Sequence, residues 1–198
     1  MEREDTKEKI LAEALRLFSE NGYEAVSVGQ IAAAVGIRAP SLYKHYKGKR
    51  DIFNSILRRM EELDLQQARE HQMPEETETP CGEVPAERIR TYTRAMFLHW
   101  TEEEFPARFR KLLTLEQYRD PEMAKLHWQY LSGGPLAYMA EVFREAAGSA
   151  EEAERLALEF YGPMYLLYSV WDGTHDREAA LAALDRHLDR FLARLAEK

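Results

Sequence analysis

Residues 27–53 read SVGQIAAAVGIRAPSLYKHYKGKRDIF, and their local chemistry settles the architecture of the chain's first quarter. Ser27 stands where a helix N-cap belongs, with Gln30 three residues on. A serine hydroxyl can accept from the N3 amide while the glutamine side chain reaches back, a reciprocal capping box. Ile31, Ala32 and Val35 then give a short helix an apolar face. Gly36 falls just past its end, where a left-handed residue closes a helix at least cost. Pro40 suits the first turn of a second helix, because its missing N–H would have no partner there. It also pushes Ala39 away from helical angles, so this helix is predicted to begin near 39 or 40 and to run as a rod to Tyr46. Leu42 faces inward, while Ser41, Tyr43, Lys44 and His45 point elsewhere. Gly48 ends the element. A third helix opens at Lys49, with Ile52, Phe53, Ile56 and Leu57 as its buried stripe.

Two short helices joined by a glycine turn, the second presenting a polar, aromatic and basic face, have the layout of a helix-turn-helix whose second helix enters a DNA major groove. Charge points the same way. Arg38, Lys44, Lys47, Lys49 and Arg50 lie in thirteen residues without one acid. Residues 1–60 carry 11 basic and 8 acidic side chains, whereas the chain as a whole has a net charge of −8. An acidic protein with one basic head confines phosphate attraction to a single surface.

The pattern Ser27-Val28-x-x-Ile31-Ala32, Val35-Gly36-Ile37, Ser41-Leu42-Tyr43-x-His45-Tyr46-x-x-Lys49 resembles the N-terminal domain of the TetR family of transcriptional regulators. A preceding stripe of Ile10, Leu11, Ala14, Leu15 and Phe18, ending at Asn21-Gly22-Tyr23, fits the same family, and the likeness spans roughly residues 6 to 55. Val26 departs from the threonine often found there, and Gly29 weakens its helix by up to about 1 kcal/mol relative to alanine. Gly29 also removes a possible phosphate-contacting side chain. The resemblance implies a DNA-binding domain at 1–50 and a divergent all-helical effector-binding and dimerisation domain at 51–198. Together with helix geometry it nominates Ser27, Arg38, Ala39, Pro40, Ser41, Tyr43, Lys44, His45 and Lys49 for DNA. In that set Tyr43 and Lys49 hold phosphates, Arg38 and Lys44 donate to guanine or phosphate, and Ser41 and His45 can do either. Lys49 lies in a first helical turn, where free amides also favour an anion. Tyr46 is expected in the core.

At 198 residues, 45% of them hydrophobic and 31% charged, the chain has the composition of a globular protein with an adequate core. No apolar segment reads as a signal peptide or a membrane span, and Cys81 is alone, so the expected location is the cytoplasm and no internal disulfide is available. A long helix is predicted from about 49 to 72, some 30 Å or more at 1.5 Å per residue. Residues 74–85, PEETETPCGEVP, read as a linker. Helices follow near 85–101, 103–118, 121–132, 135–147, 150–172 and 176–197, punctuated by Pro121, Gly133-Gly134-Pro135, Gly148 and Gly173. No strand pattern is present, so the fold is all-α.

One head reads few base pairs, and two heads about 34–36 Å apart, or a multiple of that, read a palindrome. A homodimer is therefore part of the expected mechanism. The last helix carries Leu181, Leu184, Leu188 and Phe191 on one stripe, and the helix before it is apolar almost all round from Phe160 through Leu167 to Trp171. A helix without a polar face needs cover on both sides, by its own subunit and by a partner, so these seven residues are the expected dimer interface; burial within one subunit is the alternative. Aromatics interleaved with a few polar groups suggest a small-molecule site lined by Tyr92, Met96, His99, Phe109, Leu113, Gln117, His127, Trp128, Tyr165 and Tyr168, for a mainly hydrophobic effector of unknown identity. Pro163 either shapes that wall or sits at a packed kink. The expected activity is that of a repressor which leaves its operator when the effector binds, with activation or co-repression as variants. Catalysis is not supported. The six histidines form no HExxH or paired ligand spacing, His99 and Glu103 share only an i, i+4 relation, and no phosphate loop or nucleophile elbow is present. No metal or cofactor is expected. A helical interaction module that does not bind DNA is the rival of another class.

Overall fold

The alternation of caps and apolar stripes translates into helices throughout. The computed structural model describes residues 2–74 and 84–196, with side chains from Thr6 onward. Most of the expected linker, including Cys81, lies outside the described residues. Among the described residues there are α1 (Glu2–Asn21), α2 (Val28–Val35), α3 (Ala39–Leu42), α4 (Lys49–Glu70), α5 (Ala86–Glu102), α6 (Glu104–Glu116), α7 (Pro121–Leu131), α8 (Gly133–Ala147), α9 (Ala150–Thr174) and α10 (Arg177–Ala196), and no strand. No helix among them is long and apolar enough to cross a membrane.

The chain divides into two compact units, residues 1–64 with 103–126 and residues 65–102 with 127–198. The expected boundary at residue 50 falls inside the first. In that unit α1 packs on α2 and α6. Ile10, Ala14, Leu15 and Phe18 of α1, Ile31 of α2, Leu42 of α3, Ile52, Phe53, Ile56 and Met60 of α4, and Phe109, Leu112 and Leu113 of α6 are sealed from solvent. Phe18, Tyr23 and Phe53 form an aromatic chain with ring centroids 5.1 Å apart at each step. Gly22 closes α1 at φ 87°, its N–H donating to Phe18 O at 2.9 Å. Over this turn lies the buried carboxylate of Glu116 from α6, which accepts from Arg119 Nη1 at 3.3 Å.

In the second unit α8 packs along α9, and α10 along α9 and α5. Phe143, Phe160 and Phe191 join α8, α9 and α10 in one cluster with centroids 5.0 to 5.3 Å apart. Tyr168 stacks on Phe97 at 5.6 Å with the rings 5° from parallel. Antiparallel α5 and α10 are laced by ion pairs: Arg90 with Asp189 at 2.7 Å, Arg94 with Asp185, and Arg177 with Glu102 at 2.6 Å. Pro163 lies within α9, which stays helical from Ala150 to Thr174.

This packing commits most of the expected dimer residues to the interior of the chain. Phe160, Trp171, Leu181, Leu184, Leu188 and Phe191 are buried in their own subunit, and only Leu167 is half-exposed. The reason is geometric: the stripe on α10 is the seam with α9 and α5, so its apolar area is already spent. What α9 turns outward is a different row, Leu158 (61% exposed), Tyr165, Leu166 (63%) and Val170, at i, i+7, i+8 and i+12.

Candidate nucleic-acid interface

Capping chemistry places the short helices as the sequence dictates. Gln30 N donates to Ser27 Oγ at 3.2 Å and Ser27 N donates to Gln30 Oε1 at 2.7 Å, so both halves of the capping box form. The Ser27 hydroxyl, nominated for DNA, also donates to Gln30 Oε1 at 2.9 Å and is committed to this cap. At the far end Gly36 adopts φ 76°. Its N–H and that of Ile37 donate to Ala33 O and Ala32 O, the paired bonds of a Schellman closure.

The second helix is shorter than the expected rod. Only Ala39–Leu42 is α-helical. From there Lys44 N donates to Ser41 O at 3.2 Å and His45 N to Leu42 O at 2.8 Å, i−3 bonds that tighten the chain into turns before Tyr46. Two side chains anchor it. Leu42 is fully buried, and Tyr46 is buried with its hydroxyl donating to Lys7 O at 3.2 Å, its phenol pushed up to about 12 by burial. Around these anchors the outward set is Arg38, Pro40, Tyr43 (56% exposed) and Lys44, flanked by half-buried Ala39, Ser41 and His45. Arg38 is the extended N-cap residue of α3 and makes no side-chain cap bond. Lys47, outside the nominated set, is exposed beside them.

The two cations at the start of α4 behave differently. Lys49 Nζ donates to Tyr23 O at 3.0 Å and Glu24 O at 3.4 Å, and stands 4.4 Å from the centroid of the Tyr23 ring. Arg50 forms a forked ion pair with Glu122, with Nη1 donating to Oε2 at 2.7 Å, and its guanidinium holds that carboxyl below the usual carboxylate range. These partners lie 25 to 72 residues away in sequence. No local pattern could have revealed them.

The residues nominated for an effector are divided between the units. Phe109 and Leu113 (buried) and Gln117 (half-buried) lie in the first unit. Tyr92, Met96, His99, His127, Trp128, Tyr165 and Tyr168 lie in the second. There, Tyr92 stands between His71 and Tyr138 at 6.0 and 6.3 Å, and His127 meets Tyr165 edge-on at 6.3 Å. Burial lowers the His127 pKa, favouring the neutral ring. Trp128 (60% exposed) and Tyr165 point to solvent from the outer faces of α7 and α9 and do not line an enclosed wall. Tyr168 is core, committed to Phe97. Among the described residues no group of three or more His, Cys, Asp or Glu could hold a metal.

Comparison with known proteins agrees with this geometry. The family of bacterial regulatory proteins, tetR family, matches residues 10–56. The HTH-type transcriptional regulator AcrR of Shigella flexneri is 44% identical over 55 residues, 28% of this chain and 26% of that protein. The biofilm operon icaADBC HTH-type negative transcriptional regulator IcaR of Staphylococcus epidermidis is 43% identical over 47 residues, 24% of this chain and 25% of its own length. The chain thus spans about a quarter of the length of the curated relatives it matches. Whole-chain similarity is confined to fold. The fatty acid degradation regulator FadR from Bacillus halodurans superposes with a TM-score of 0.66 at 15% identity, covering 94% of each chain. The SmeT–triclosan complex superposes with a TM-score of 0.63 at 20% identity, covering 94% of this chain and 91% of the other.

Proposed function

We propose that this chain, which belongs to the tetR family through its N-terminal domain, is a repressor that binds a palindromic operator as a homodimer and releases it when a small, largely hydrophobic effector binds. The observation that carries the reading is the outward face of residues 38–45: Arg38, Pro40, Tyr43 and Lys44 project together while Leu42 and Tyr46 anchor the same segment in the core. Such a face can set Arg38 and Lys44 against base edges or phosphates, and Tyr43, Ser41 and His45 against the backbone of the duplex. IcaR, similar to this chain over the same head, is a negative regulator, which supports repression. The protein is a regulator and not an enzyme.

For the homodimer, the outward row on α9 is the surface that supports pairing: Leu158, Tyr165, Leu166 and Val170, with Gly162 and Ser169 between them, form one stripe along more than three turns. A second copy laid on this stripe would remove four large apolar side chains from water. For the effector, support comes from SmeT, a protein of the same fold that forms a complex with triclosan. Tyr92, Met96, His99 and His127 in the second unit are the residues proposed to meet a small molecule here. Ligand coupling of this kind is typically about 1–3 kcal/mol, or roughly 5- to 150-fold in affinity.

Selection of duplexes from a random pool tests the reading. The expected product is an inverted repeat, bound in a salt-dependent way and weakened by Arg38→Ala or Lys44→Ala. Failure to enrich any sequence, together with no salt-dependent retention on duplex DNA, would support the non-DNA interaction module instead.

A further inference from the structure

We infer that His187 is a positioning residue for self-association: it braces α9 at the turn weakened by Pro163, and so holds the outward apolar row as one surface for a second copy. The inference rests on the homodimer reading above. A proline inside a helix has no N–H for the carbonyl four residues back, and its ring crowds that carbonyl. In α9 the deprived carbonyl belongs to Glu159, which puts a weak turn inside a helix of 25 residues. Gly162, just before the proline, avoids the clash a Cβ would make there and leaves the turn looser still. Helix α10 supplies a donor at this turn. His187 Nε2 lies 2.8 Å from Phe160 O, and because a carbonyl only accepts, the ring donates there and carries its proton on Nε2. Phe160 and Phe191 flank the half-buried ring, with centroids at 6.2 and 6.1 Å. Two turns further along α10, Arg194 pairs with the Glu159 carboxylate.

The position of the break gives the brace its leverage. Leu158 precedes it, and Tyr165, Leu166 and Val170 follow it, so the outward row spans the turn that lacks a backbone bond. Gly162 lies in the row itself, and a Cβ added there would meet nothing within 4 Å, so this side of the turn is open. Support comes from behind, through His187. Val170 lies about 12 Å along the axis from Gly162 at 1.5 Å per residue, so a bend of about 20° at the break would carry it about 4 Å sideways. A close-packed contact does not survive a gap of that size. The row is therefore a single docking surface only while α9 is held in one conformation at Phe160.

A brace and an ordinary core contact leave different signatures. A core contact counts equally whether or not the helix is broken, whereas a brace counts because of the break. The test uses the whole chain as wild type, His187→Phe, His187→Gln, Pro163→Ala, and Pro163→Ala combined with His187→Phe. Dimer dissociation constants are measured by sedimentation equilibrium, at temperatures where circular dichroism shows each protein folded. His187→Phe keeps an aromatic ring beside Phe160 and Phe191 but has no donor, and His187→Gln restores an N–H donor. The expected result is a dimer weakened about tenfold by His187→Phe and within about twofold of wild type for His187→Gln. In the Pro163→Ala background, where a backbone N–H returns to Glu159 O, His187→Phe should weaken the dimer by less than about threefold. An equal loss in both backgrounds would overturn the inference in favour of a core contact. A loss that His187→Gln does not rescue would overturn it in favour of ring packing, and no loss at all in favour of a bystander. If His187→Phe does not fold, His187→Leu takes its place and decides by the same pattern. A wild type that dimerises but is indifferent to Leu166→Asp overturns the inference alone, because the row is then not the interface. A wild type that stays monomeric at every concentration overturns the homodimer reading and this inference with it, an outcome visible before any variant is made.

Discussion

Gly22→Ala should destabilise the protein by about 2–4 kcal/mol, and the cost has two separable sources. The first is backbone strain: Gly22 sits at φ 87°, a region that costs an L-residue about 1–2 kcal/mol. The second is steric, because a Cβ there would lie 2.6 Å from Glu116 Oε1. That carboxylate is buried, so it cannot swing freely into water, and displacing it strains its contact with Arg119 at 3.3 Å. Loss of one buried charge-assisted contact is worth about 1.5–3 kcal/mol, discounted here because Arg119 is largely exposed. The assay is urea denaturation of wild type, Gly22→Ala, Glu116→Ala and the double variant. In the Glu116→Ala background the clash is gone and only strain remains, so Gly22→Ala should cost about 1–2 kcal/mol less there than in the wild type. If the two substitutions are additive within about 0.5 kcal/mol, α6 does not press on the α1–α2 turn and the reasoning fails.

Three further outcomes are expected. Ser27→Ala removes the hydroxyl half of the capping box and should lower stability by about 1 kcal/mol in the same denaturation assay, with Ser27→Asp restoring most of it. Leu166→Asp, on the outward row of α9, should shift sedimentation toward the monomer while leaving helix content intact, whereas Leu184→Asp, deep in the α9–α10 seam, should unfold the second unit. His127 is held neutral by burial, with its folded pKa below the ordinary value of 6.5, so the unfolded chain binds the extra proton first as pH falls. Its contribution is intact above about pH 6.5 and is lost as pH drops toward the folded pKa; thermal melts should show that decline in the wild type and a flatter profile in His127→Gln.

The helix-turn-helix was legible because its signals are local. Ser27 with Gln30, Gly36 and Pro40 each act within four residues, and the structure uses each as a cap, a closure or a first turn. The all-helical class was legible for the same reason. The length of α3 was not, since the i−3 bonds of Lys44 and His45 accompany the burial of Tyr46 in the core, a tertiary demand no local pattern announces. The outward side of α9 was hidden by composition: a helix apolar on nearly every face does not announce which face is inward, and only the docking of Phe160 against Phe143 and Phe191 shows that Leu158 and Leu166 point away. Lys49 and Arg50 looked like two more cations in a basic run until their distant partners Tyr23, Glu24 and Glu122 came into place.

The unit that carries the reading face is assembled from two stretches of chain, with α6 packed on α1 from more than eighty residues downstream. During synthesis the face must wait: α1 stays without its cover until the ribosome has passed residue 116. A truncated message ending after the third helix would therefore release a segment whose α1 lacks its α6 cover, a substrate for proteases.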